Sequence, residues 1–181
     1  LSRYFDKADY GTYKQVMYVY NTLLTVFTLG LPKAYSYFLP RVNPQEAKDL
    51  INKITRLFFL LGGVFSILLF LGASLIAQFL KNPDLEIALR YFSLVPFLML
   101  PTMGLEGILS TYKKTKFLAG YTITTRLFML CCVALPVMIF NLDYIGAIIG
   151  FVIASIFSAF LALYLKVYPV RNNIKNRTQT S

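Results

Sequence analysis

Five runs dominated by apolar residues, at about 15–39, 57–80, 91–112, 117–140 and 142–165, leave this chain few folds to choose from. Twenty residues of α-helix reach ~30 Å, the thickness of a bilayer's hydrocarbon core. A soluble helix buries one stripe and has no use for apolar residues all round. A membrane barrel would show ten-residue segments of alternating hydrophobicity instead. Only 14% of the residues are charged, against about 25% in soluble domains. The expected fold is therefore all-α: a polytopic transmembrane helix bundle of about five helices. It would be flanked by a polar segment at 1–14 and a polar tail or linker at 166–181.

The loops order these spans in the membrane. Lys and Arg collect unevenly: five fall on one side, twelve on the other, and Arg126 lies inside a span. Cation-rich loops stay in the cytoplasm, so 41–56, 113–116 and the tail are expected inside, and residues 1–14 outside. An outside start without Met or a signal sequence is most simply explained by an upstream helix, which would make six helices with both ends cytoplasmic.

The net charge of +10 fits loops that set topology and touch anionic lipid, so membrane lipid and not nucleic acid is the expected partner. Cys131 and Cys132 are neighbours in an apolar run. They point about 100° apart on a helix, so no ordinary disulfide joins them and they read as small core residues. The chain has no histidine, which excludes histidine-dependent zinc motifs and Ser-His-Asp triads. With no phosphate-cradling glycine loop and no aspartate cluster either, neither an enzyme nor a metal or cofactor site is expected.

Two charges lie deep in apolar sequence, Glu106 and Arg126. Each costs a few kcal/mol at the bilayer centre, so each should face protein or water. Counting back from the turn near Lys114 brings them within an arginine's reach, so a Glu106–Arg126 ion pair is one expectation. The other is that Arg126 faces a hydrated cavity and attracts an anion. Pro96 and Pro101 fall in one span and predict a bent helix lining something. Gly146, Gly150, Ala154, Ser158 and Ala162 recur every four residues, a stripe that lets a second helix backbone approach closely.

The segments Tyr4-Phe-Asp-Lys-Ala-Asp-Tyr-Gly-Thr-Tyr13, Leu29-Gly-Leu-Pro-Lys-Ala34 with Tyr37-Phe-Leu-Pro-Arg41, Gly107-Ile-Leu-Ser-Thr-Tyr-Lys-Lys-Thr-Lys116 and Asp143-Tyr-Ile-Gly-Ala-Ile-Ile-Gly150 form an ordered set. Together they resemble the polysaccharide-transport branch of the MOP flippase superfamily, the O-antigen and exopolysaccharide flippases. The resemblance covers nearly the whole chain. It implies two six-helix lobes around a cationic cavity, this chain supplying helices two to six of the first. It also implies alternating-access transport of undecaprenyl-diphosphate-linked oligosaccharide across the bacterial inner membrane. Partners would be that lipid-linked oligosaccharide, the first helix and second lobe of the same protein, and polysaccharide polymerase machinery.

Many members carry an arginine where this chain has Tyr37, so the cation there would be Lys33 or Arg41. Arg126, Lys33 and Arg41 are thus the candidates for holding diphosphate or glycan, with Glu106 steadying Arg126 between substrates. Two rival functions remain. One is a cation-coupled multidrug exporter of the same superfamily, which would want carboxylates in its cavity. The other is a non-transporting scaffold of a polysaccharide-assembly complex.

Overall fold

The computed structural model describes residues 7–28, 30–140 and 143–178. Among them regular structure is entirely helical: α1 Lys7–Thr28, α2 Ala34–Phe38, α3 Pro44–Phe79, α4 Asp84–Phe92, α5 Leu94–Met99, α6 Leu105–Thr111, α7 Thr115–Phe140 and α8 Tyr144–Thr178. Four segments are long and apolar enough to cross a membrane: Glu46–Phe79, Asp84–Thr111, Thr115–Ile139 and Tyr144–Val167. The chain is a polytopic all-α bundle. The motif residues Tyr4, Phe5 and Asp6 and the joint at Asn141 and Leu142 lie outside the described residues.

The fifth span expected, at 15–39, is divided. Helix α1 stops at Thr28, and Pro32, which lacks an N–H, opens the short turn leading into α2. The residue before a proline is pushed out of helical geometry, so a helix running into Leu31-Pro32 tends to end there. Helix α1 is also more polar than the other four, with Lys14, Gln15 and Asn21 along its length.

The segment expected as a loop at 41–56 is mostly helix. Asn43 and Glu46 form a reciprocal capping box around Pro44 in the first turn, so α3 begins well before its apolar run. That extension is amphipathic: Ala47 and Ile51 are buried, Lys48, Lys53 and Arg56 exposed. At the other end of the chain, the polar tail continues α8 as helix through Thr178.

The third apolar run is broken where its prolines fall. Helices α4, α5 and α6 follow one another with a tight turn at Leu100–Thr102, and Gly104 holds a left-handed φ of 79°. The Phe97 N–H, next to Pro96, donates to Ser66 Oγ of α3 at 3.1 Å, which ties the broken run to α3. At the far end of α3, the Asn82 side-chain amide donates to Thr12 Oγ1 and Gln15 Oε1, at 2.9 and 2.7 Å. Those two bonds pin the α3–α4 turn to α1.

Helix α8 is the hub, packing against α1, α3, α4, α5, α6 and α7. Aromatic rings fill the centre: Tyr20 meets Phe92 edge-on at 5.2 Å, Phe27 stacks on Phe65 at 4.6 Å, and Phe92 leans on Phe151 at 5.2 Å. The outside is also apolar. Leu71, Leu75 and Phe79 of α3, Leu130 of α7 and Phe160 of α8 are each more than 60% exposed. Water does not tolerate a patch of that extent, whereas lipid requires it.

Helices α7 and α8 are held together by the small-residue stripe. A Cβ at Gly150 would run into the backbone carbonyl of Cys132, while Ala154, Ser158 and Ala162 are buried along the same helix. Gly150→Ala therefore forces the two backbones apart, and we expect it to lower stability by about 2 kcal/mol. The measurement is the denaturation midpoint in detergent. Gly120 has nothing within 4 Å of a would-be Cβ, so Gly120→Ala should leave that midpoint unchanged or raise it slightly.

Candidate functional site

A cavity of about 470 Å³ opens between α1, α5, α7 and α8, lined by Asn21, Met99, Tyr121, Thr125, Arg126 and Ser158, with Thr122, Met129 and Phe151 completing the wall. The broken proline-containing run thus contributes Met99 to a cavity. Arg126 sits near the middle of α7, eleven residues beyond its start at Thr115, or ~16 Å along the axis. Its side chain is exposed to the cavity and forms no ion pair among the described residues. A guanidinium at that depth needs water, protein dipoles or an anion around it.

The surrounding polar groups differ in how far they are already engaged. Thr125 Oγ1 donates to the Tyr121 carbonyl at 2.7 Å, the usual way a hydroxyl is silenced inside a helix. Ser155 does the same with Phe151 at 2.8 Å. Ser158, one turn on, does not: its Oγ is buried without a hydrogen-bond partner.

The other expected site residues are placed elsewhere. The Glu106–Arg126 pair does not form. Glu106 lies in the first turn of α6 with an exposed side chain, while its neighbours Leu105, Gly107, Ile108 and Leu109 are buried. Counting back from Lys114 assumes one continuous helix, and the break at Leu100–Gly104 resets the phase so that Glu106 turns outward. Lys33 and Arg41 are exposed and do not line the cavity. The Arg41 guanidinium stacks over the Tyr37 ring at 3.8 Å.

One charged residue has a place its sequence context conceals. Lys166 counts among the tail cations, yet it is only 1% exposed. Its Nζ donates to Tyr35 Oη at 3.3 Å and lies 4.9 and 5.5 Å from the Tyr35 and Phe58 ring centres. The Tyr35 and Thr55 hydroxyls share a further bond at 3.0 Å. Two ring faces and a hydroxyl surround the amine. The cluster ties α8 to α2 and α3. Among the cavity residues, Asn21, Tyr121, Thr122 and Thr125 also went unpredicted, although the Thr122-Ile-Thr-Thr-Arg126 run is a polar interruption readable in an apolar helix.

Over residues 1–181 the chain matches the family model described as polysaccharide biosynthesis protein. The chain belongs to the polysaccharide biosynthesis protein family. No curated protein and no solved structure matches it. This family member is thus a polysaccharide-related membrane protein, with a cationic cavity between its helices.

Proposed function

We propose that this polysaccharide biosynthesis protein is part of a flippase. It moves undecaprenyl-diphosphate-linked oligosaccharide across the bacterial inner membrane by alternating access. The observation that carries this reading is Arg126: a permanently charged, forked donor with no ion-pair partner among the described residues, at mid-helix, in a cavity large enough for a ligand. A diphosphate with sugars attached cannot cross hydrocarbon unaided, because its charge and hydroxyls would lose their water unpaired. Arg126 supplies a bidentate partner for the phosphate oxygens. The cavity walls shelter the sugars, and the prenyl tail stays in lipid.

The basic segments at 41–56 and 113–116 then face the cytoplasm, where the lipid-linked glycan is made, and the tail lies on the same side. Family membership and the membrane-crossing helices support this reading. The exporter reading calls for a carboxylate in the cavity, and the lining residues include none.

The test in cells is removal of the gene. Surface polysaccharide should disappear while lipid-linked oligosaccharide accumulates on the cytoplasmic leaflet, and full-length wild-type protein should reverse both. Surface polysaccharide persisting at normal levels in the deletion strain would refute the proposal.

A further inference from the structure

Among the described residues, Ser158 is the polar side chain of the cavity that the fold has buried and left without a partner. It is 2% exposed, its Oγ makes no hydrogen bond, and it forms part of the lining. Its neighbours show that this is not forced by the helix. Ser155 on the same helix bonds back to the carbonyl four residues earlier, as does Thr125 across the cavity. A hydroxyl held in this way keeps its hydrogen-bonding capacity unspent at the cavity wall.

Its depth is fixed by the α7–α8 register. Gly150 lies against Cys132, and the Phe157 and Phe128 rings meet at 4.4 Å. The two helices run antiparallel, so descending from those contacts brings Ser158 level with Thr125 and Arg126. Asn21 of α1 supplies another wall with an amide that both donates and accepts. A cation and several uncharged hydrogen-bonding groups, Ser158 and Asn21 among them, therefore share one cavity, with the cation and the serine at one depth. That pairing matches a ligand carrying an anion directly joined to hydroxyls, as a sugar phosphate does.

We infer that Ser158, helped by Asn21, hydrogen-bonds the first sugar of the lipid-linked substrate, next to the diphosphate held at Arg126. The inference rests on the proposed function and adds a residue that reads the sugar. Arg126 then sets affinity for any prenyl diphosphate, whereas Ser158 distinguishes the glycosylated lipid from the bare one. A site built to bond a hydroxyl discriminates against a ligand lacking it, because its own polar group is left unpaired.

The experiment uses the purified full-length protein in lipid nanodiscs and two probes. One is undecaprenyl diphosphate. The other is the lipid-linked oligosaccharide extracted from cells lacking the protein. Ser158→Ala should weaken binding of the glycosylated lipid about tenfold, the loss of one good hydrogen bond, and leave undecaprenyl diphosphate unchanged. Arg126→Ala should weaken both. If Ser158→Ala leaves both probes unchanged, or weakens both equally, the sugar-reading role is overturned, since the hydroxyl then serves water or packing alone. If Arg126→Ala changes neither probe while Ser158→Ala still weakens the glycosylated one, the diphosphate reading fails and the serine's role stands.

Discussion

Arg126→Ala in the full-length protein should cut polysaccharide export at least about tenfold, with folded protein present at normal level. A charge-assisted hydrogen bond contributes about 1.5–3 kcal/mol, and each 1.4 kcal/mol is a factor of ten. The loss is expected at the upper end, because a diphosphate entering a cavity between helices has little water to replace the missing partner. Arg126→Lys should restore only part of the activity: the charge returns, but the planar fork that takes two phosphate oxygens together does not. Glu106→Gln serves as the contrast. Its carboxylate is exposed on α6 and forms no ion pair with Arg126, so export should stay within about twofold of wild type, a shift of under 0.5 kcal/mol. Export is measured as surface polysaccharide per folded protein in a deletion strain. Equal loss in Glu106→Gln and Arg126→Ala would mean the two act as a unit, against the geometry described.

Gly104→Ala should be the most damaging of the glycine substitutions. Gly104 holds φ +79°, and a Cβ there would collide with the Tyr35 ring. The left-handed backbone costs a residue with a Cβ about 1–2 kcal/mol, and overpacking adds about 1–3 kcal/mol. The Tyr35 ring cannot simply step aside. It is fully buried, stacks with Phe58, and bonds Thr55 and Lys166 through its hydroxyl. We expect the variant to lose most of its folded yield in detergent extracts, while Gly120→Ala is recovered like wild type. Recovery of Gly104→Ala at the wild-type yield and midpoint would show that the Tyr35 cluster has slack.

What could be read from the sequence follows from which signals are local. Apolar runs report membrane spans directly, because lipid demands them of every helix face, and four of the five expected runs are present as crossing segments. The capping box at Asn43 and Glu46 is equally local, and it starts α3 well ahead of its apolar run. Arg126 stood out because a charge deep in an apolar run needs a reason. Partnerships were harder. The Glu106–Arg126 pair failed because the Pro101–Gly104 break changes which way Glu106 faces, and proline marks a break without giving the new phase.

The place of Lys166 is hidden for a similar reason. It follows the last apolar run, where loop lysines belong, and its partners Tyr35, Thr55 and Phe58 come from distant parts of the chain. In the sequence Ser158 is one small residue of a packing stripe. That its hydroxyl is left unpaired depends on side-chain geometry that spacing does not contain.

The central claim is movement of a lipid-linked glycan from one leaflet to the other, and purified protein tests it most directly. Full-length protein is reconstituted into vesicles carrying the lipid-linked oligosaccharide in both leaflets, and an impermeant glycan-cleaving enzyme is added outside. Without a flippase, the inner-leaflet pool stays protected. With wild-type protein that pool should become cleavable, and with Arg126→Ala it should remain protected. Folded wild-type protein that leaves the inner pool as protected as empty vesicles do would contradict the account.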